Sequence, residues 1–222
     1  MNPPSLIKTR FFRHGQSFCL RQSRRVCLAL LISLISHSEW SFAASVRQIT
    51  INEMMSASEL VFEGQVVHVI SKLDPNSSGI HTYVTFQILD LIKGKYPQAK
   101  IELSFLGGSA GGLTLEISDM HLPALGEKGI YFVETLQHRQ VHPLYGWDQG
   151  HFIVKTDLDG IQRVKTRNQL RIIGIESSGP RRIQALREGV AKGVVVSEDS
   201  RDKGMSLNEF KLRLREINGG QP

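Results

Sequence analysis

The sequence predicts a mainly β fold, an antiparallel barrel or sandwich with a short N-terminal helix and a C-terminal helical extension. Three observations point there. Several short segments alternate apolar and polar residues, Gly-rich turns separate them, and no regular βαβ alternation is present. The clearest segment is Ile80 to Tyr96. Ile80, Thr82, Val84, Phe86 and Ile88 fall on one face, Tyr83, Thr85 and Gln87 fall on the other, and the pattern stops at Lys93-Gly94. It reads as a long, half-buried central strand.

The other elements follow in chain order. Thr50-Ile51-Asn52-Glu53 has the form of a capping box and predicts a short helix over Ile51 to Ser58. Leu60 to Leu73 has apolar residues at both parities, the pattern of a strand covered on both sides, and Gly64 inside it predicts a bulge or sharp bend. Asp74 to Gly79 is a turn by its chemistry and makes a hairpin with Ile80–Tyr96. Further strands are expected at Lys100–Leu106, Leu113–Ser118, Gly129–Leu136, Gly150–Thr156 and Ile161–Lys165. After about residue 166 the pattern changes. Pro180–Lys192 carries Ile183, Leu186 and Val190 at helical spacing. Ser206-Leu207-Asn208-Glu209 is a second capping box, opening a helix with Leu207, Phe210, Leu214 and Ile217 on one face.

The net charge of +6 and pI near 9.5 suggest nucleic acid or an anionic surface until the charges are located. Six of the 27 basic residues (Lys8, Arg10, Arg13, Arg21, Arg24, Arg25) and one of the 21 acidic residues (Glu39) lie in residues 1–43, leaving +1 for the rest. Residues 1–43 read as a secretory signal peptide, with Arg24-Arg25 closing the basic region, the apolar core Val26 to Ile35, and cleavage after Ala43. The apolar run is about half of the roughly 20 residues that a spanning helix needs, so no stable membrane anchor is expected after cleavage. The product is exported, to the periplasm or beyond. Both cysteines, Cys19 and Cys27, lie in this segment, which leaves no disulfide, thiol nucleophile or cysteine-based metal site. Residues 44–159 carry 8 basic and 13 acidic residues and residues 160–222 carry 13 and 7. A basic tail thus faces an acidic barrel, as self-complementarity or as an attraction to anionic envelope polymers. Aromatics do not interleave with the tail's cations, which argues against nucleic acid.

Gly107-Gly108-Ser109-Ala110-Gly111 fits the G-x-S-x-G elbow, and Asp119, His121 and His138 follow it, so a serine hydrolase using Ser109 is the enzymatic alternative. An elbow needs a helix directly after the serine, whereas Leu113–Ser118 alternates as a strand. The ordinary reading of Gly107, Gly108, Ser109, Gly111 and Gly112 is a hairpin loop available for binding. His138 and His142 share a metal only if helical, and Pro143 follows at once, so no metal or other cofactor is expected. Tyr145 and Trp147, with Phe152, are candidates for an aromatic platform that meets a glycan or peptide; the structural alternative is that Trp147 plugs a barrel end.

Several stretches resemble secreted bacterial proteins of the netrin-like kind, the OB-type barrel of tissue inhibitors of metalloproteinases. They are Ala57 to Val66, Thr82 to Phe86 running to Leu91-Ile92-Lys93-Gly94, Gly107-Gly108 to Gly111-Gly112, Gly126-Glu127, Ile130 to Val133, Gln149 to Phe152 and Ser206 to Phe210. The resemblance covers about residues 48–156 and the last helix and implies a five-stranded OB-type barrel; the domains expected are an antiparallel OB-like barrel over residues 48–166 and a basic tail at 167–222 with an amphipathic helix. It implies a non-enzymatic binding role, with a secreted protease or another envelope protein as partner. Those inhibitors reach the protease zinc through an N-terminal cysteine; residues 44–222 have none, so no inhibitory residue carries over. A structural factor that assembles through the Leu207–Ile217 helix is the third reading.

Overall fold

The computed structural model describes residues 47–74, 79–118, 120–176, 189–199 and 201–219. The predicted signal peptide and most of the predicted Pro180–Lys192 helix lie outside these residues; the described end of that stretch, 189–192, is not helical. Ten strands and two helices follow in order: α1 (Ile51–Ala57), β1 (Leu60–Asp74), β2 (Gly79–Lys93), β3 (Lys100–Leu106), β4 (Gly108–Ala110), β5 (Leu113–Leu115), β6 (Lys128–Val133), β7 (His151–Thr156), β8 (Gln162–Thr166), β9 (Arg171–Ile175), β10 (Val194–Ser197) and α2 (Leu207–Gly219). Eight strands form one antiparallel sheet in the order β10-β9-β8-β7-β6-β1-β2-β3, and β4 and β5 make a separate hairpin.

β1 and β6 sit at the centre, and their alternating residues divide between two cores. Val61, Ile130 and Phe132 join Phe152, Val154, Val164, Ile172 and the apolar residues of α1 and α2 on one face. Leu60, Phe62, Tyr131 and Val133 join Val84, Phe86, Ile101, Leu103, Phe105 and Leu144 on the other. Both-sided burial holds for Leu60 to Gly64, whereas the apolar residues from Val67 to Leu73, which share the two-parity pattern, are exposed. The β1–β2 hairpin curls through three irregularities, where Ile92, Leu89 and Val67 are skipped in the pairing. The expected irregularity at Gly64 is there, but the extra residue, Leu89, lies on the partner strand.

Gly64 and Gly129 face each other across β1 and β6. A Cβ on Gly64 would stand 2.6 Å from Phe62 Cε2, and one on Gly129 would stand 2.5 Å from the Phe152 carbonyl oxygen and 2.9 Å from the Tyr131 ring. The two missing side chains make room for the aromatic rings to fold back along their own strands. Phe62, Phe86 and Tyr131 then meet with centroids 4.6 to 5.6 Å apart, in tilted and edge geometries.

The helices close the opposite face. Thr50 Oγ1 accepts from the Glu53 amide at 3.0 Å, capping α1, while the Glu53 carboxylate turns to Arg47 and Tyr145 rather than completing the box. At α2 the box is complete. The Ser206 amide donates to Glu209 Oε2 at 2.8 Å, and the Glu209 amide donates to Ser206 Oγ at 3.3 Å. Leu207, Phe210 and Leu214 are buried, and Ile217 packs beside them. Charge fastens this helix as well. Lys211 Nζ lies 2.6 Å from Glu63 Oε2 and 2.9 Å from Asp90 Oδ2, Arg215 lies 2.8 Å from Asp90, and Lys128 meets Glu63 Oε1 at 2.9 Å. Burial alone raises the Asp90 carboxyl, but hydrogen bonds from Lys211 and Arg215 outweigh that and hold it below the usual carboxylate range. Among the described residues these pairs are the self-complementary reading of the charge split.

Two expectations need correction. The described strands form no closed barrel: β3 and β10 are the edges and do not pair with each other. A barrel has one inward face, whereas β1 and β6 here bury both. The boundary expected at residue 166 falls inside the sheet, because β9 and β10 extend it and Ile172, Val194, Leu207 and Phe210 complete the same core as Ile51 and Phe152. No helix among the described residues is long and apolar enough to cross a membrane.

Two stability tests follow from this packing. Gly129→Ala should lower unfolding free energy by about 1–3 kcal/mol in urea titration, since the clash is with backbone. Glu63→Ala should cost about 1–3 kcal/mol in the same titration, because it removes the shared carboxylate of two partly buried lysines and leaves Lys211 to Asp90 and Lys128 to Gln162.

Candidate functional site

Ser109 lies in a hairpin. β4 and β5 pair Gly108 with Leu115, Ser109 with Thr114 and Ala110 with Leu113. Gly111 and Gly112, with φ of +59° and +76°, form the two-residue connection, the left-handed pair that a type I′ turn demands. Ser109 Oγ lies 2.8 Å from Thr114 Oγ1 at the exposed surface, and a strand rather than a helix follows. The elbow geometry is therefore absent. Of its expected partners, His121 Nδ1 lies 2.7 Å from Asp148 Oδ2, His138 is exposed, and Asp119 lies outside the described residues.

The hairpin rests on the far half of the β1–β2 arm. The Gly107 amide donates to the Ile80 carbonyl at 2.7 Å, and Thr82 Oγ1 donates to the Gly107 carbonyl at 2.7 Å. Gly108, with φ of +117°, comes so close that a Cβ would stand 2.2 Å from Thr82 Oγ1 and 2.5 Å from Ser71 Oγ. Gly107 to Gly112 thus forms a docked flap on the arm.

Tyr145, Trp147 and Phe152 do not share a platform. Phe152 is buried between Phe132 and Phe210, with centroids at 5.7 and 5.1 Å. Tyr145 packs on that same core, and its hydroxyl donates to Glu53 at 3.2 Å. Trp147 turns the other way and stacks on His142, centroids 5.3 Å apart and planes at 10°. Its φ of +59° follows φ of +70° at Gly146, a left-handed pair that a bulky residue adopts only under constraint.

Beside Trp147 lies a buried polar cluster for which the sequence offered no assignment. His151 Nε2 is 2.6 Å from Glu127 Oε1, and the Tyr131 hydroxyl donates to the same oxygen at 3.2 Å. The Tyr131 and His151 rings lie 5.1 Å apart. Burial raises the Glu127 carboxyl, but the His151 hydrogen bond, with the His151 and Arg167 charges, outweighs it and leaves the carboxyl below its ordinary value of 4.5. His142 is 3% exposed, and its Nδ1 accepts from the Leu144 amide at 3.2 Å. Burial, with His151 nearby, pushes the His142 imidazole down to about 3. In neutral rings this leaves His142 Nε2 as a donor and His151 Nδ1 as an acceptor, and neither atom has a hydrogen-bond partner among the described residues. Among those residues no three His, Cys, Asp or Glu side chains converge as a metal site.

No protein-family model, curated protein or solved structure matches this chain.

The Gly126-Glu127 and Gly150-His151 stretches were visible in the sequence, but only pairing of β6 with β7, which sets Tyr131 against His151, shows why they belong together. Burial first, and His151 second, keep His142 neutral. Glu127→Ala should leave the His151 and Tyr131 donors buried without an acceptor and lower stability by roughly 3 kcal/mol in urea titration, with Glu127→Gln losing less. A depressed carboxyl stabilises the fold above about pH 4.5, and that contribution is lost as pH falls through the folded value. Acid unfolding of Glu127→Gln should accordingly be shallower than that of the parent protein below pH 4.5.

Proposed function

We propose that this protein is an exported, non-enzymatic binding module that recognises a protein partner on an OB-like, netrin-like scaffold. The observation that carries the reading is the outer edge of β1 beyond Val66. Pairing on that side ends where the Val66 amide donates to the Glu127 carbonyl and the Gly126 amide donates to the Val66 carbonyl, at 2.8 and 2.9 Å. From Val67 to Leu73 no described strand pairs with β1 on the side away from β2. Val67, Val69, Ile70 and Leu73 are exposed along it, and Leu113 of the docked flap adds another exposed apolar side chain.

An open, β-branched edge is the template for strand addition. The edge carries Lys72 and His68, while its one acid, Asp74, is engaged by Arg139 at 2.7 Å. The partner is therefore an extended segment with apolar side chains and an acidic residue for Lys72. Support for the OB-like element is that residues 141–145 touch both β3 and β6, through Leu106 with Val141 and through Val133 with Leu144. The Ser109–Thr114 hydrogen bond, with no described histidine on that serine, favours binding over hydrolysis. α2 turns Leu207, Phe210 and Leu214 to the core and leaves Leu212 as an exposed apolar side chain, which gives assembly through Leu207–Ile217 little apolar surface.

Affinity capture with the exported protein from its own secretome tests the reading. A partner should be retained, and the double variant Val69→Lys/Ile70→Lys should reduce retention at least about tenfold, the loss of roughly 1.4 kcal/mol or more, with unchanged circular dichroism. Retention of nothing, or equal retention by the variant, overturns it. Fluorophosphonate labelling of Ser109 would restore the hydrolase.

A further inference from the structure

Residues 141–147 form a strap across the mouth of the aromatic core. The Leu106 amide of β3 donates to the Val141 carbonyl at 2.9 Å. On the other side the Glu134 amide donates to the Pro143 carbonyl at 3.0 Å, and the Tyr145 amide donates to the Phe132 carbonyl at 2.8 Å. His142 sits between these two fastenings, buried against Phe105, with centroids 5.1 Å apart, and under Trp147. We propose that the strap is an acid-released latch: a proton taken up by His142 detaches residues 141–147 from β3 and β6 and opens the core of Phe62, Phe86, Phe105 and Tyr131 at Leu144.

The direction follows from where that proton must go. Nε2 already carries hydrogen in the neutral ring, so the second proton belongs on Nδ1, the atom that accepts from the Leu144 amide. Protonation therefore breaks a strap hydrogen bond and buries a cation among aromatic rings. Among the described residues no carboxylate is hydrogen-bonded to His142. On the β6–β7 side, Glu127 is occupied by His151 and Tyr131, and the Arg167 charge acts on it as well. Asp148, next to Trp147, gives Oδ2 to His121 and keeps Oδ1 buried without a hydrogen-bond partner, and Glu134, at the β6 fastening, acts on Tyr145. On the β3 side the contact is Phe105. The left-handed backbone at Gly146 and Trp147 is a constraint that release would relax. Outside the latch, the Arg139–Asp74 pair and the Glu59 carboxylate, which accepts from Thr135 and the Leu136 amide, keep the chain before the strap tied down, so opening is local. This inference does not depend on the β1 edge.

Hydrogen exchange of the whole exported chain tests it. With His142 near 3 when the strap is closed and at its ordinary 6.5 when open, protection of the Leu106, Glu134, Leu144 and Tyr145 amides should fall roughly twenty-five-fold between pH 7 and pH 5, after correction for intrinsic rates. The Val154 and Val164 amides should not follow. His142→Asn keeps an acceptor for Leu144 without titrating, and His142→Phe keeps the ring. Either should abolish the difference. An equal fall in these variants, no fall in the parent protein, or a uniform fall across β7 and β8 overturns the proposal. Should both variants fail to fold, the His142 ring resonance in the parent protein decides. It should stay unprotonated to well below pH 5, and a midpoint near 6.5 with the strap still protected overturns the latch.

Discussion

The structure depends on one pair of strands buried on both faces. The first half of β1, Leu60 to Gly64, and β6 hold alternate residues in two separate cores, so neither has a solvent side to yield there. That constraint explains the paired glycines. With Gly64 opposite Gly129, the Phe62 and Tyr131 rings lie flat along their strands, and the aromatic core fits beneath a sheet that also carries helices above. It also explains the open sheet. Curling β1 and β2 around the aromatic core uses one face, and packing α1 and α2 uses the other, so the sheet cannot close into one inward-facing barrel.

Each core has a carboxylate at its margin, and each is satisfied differently. On the helix side, Glu63 is met by two lysines from different elements, which ties α2 to the sheet by charge as well as by Phe210 and Leu214. On the aromatic side, Glu127 accepts from His151 and Tyr131, so an imidazole and a phenol hold it in place. Buried charges of this kind contribute little net stability beside an apolar substitute but are costly to leave half-paired. The aromatic side also contains His142, held neutral by burial.

The surface groups divide in the same way. Functional interest moves away from the Gly-rich loop, which is a flap fastened to the arm by Thr82 and Ile80, and towards the strand edge it leaves bare. The distal half of β1 passes beyond the end of β6, and no described strand pairs with it on that side over the seven residues Val67 to Leu73. Gly107, Gly108, Ser109, Gly111 and Gly112 support that edge. Trp147 serves the strap, and Tyr145 serves the junction of α1 with the loop before β7.

The sequence by itself determined the local elements wherever a period or a cap was strong. β3 lies where alternation put it, β2 ends at Lys93-Gly94, and both capping serine or threonine residues open helices; the two-parity pattern of Leu60–Leu73 matches burial on both sides only as far as Val66. Short strands without alternation escaped: Arg171–Ile175 and Val194–Ser197 read as tail because four or five residues, three of them β-branched in each, carry no period long enough to distinguish them from a loop or a helix turn. Which face each strand turned to which core, and that His142 and His151 would approach Glu127 and Trp147 from opposite ends of a connection, only the tertiary structure decided. Those juxtapositions depend on strand register and on the chain's path between β6 and β7, and neither leaves a local signature in residue order.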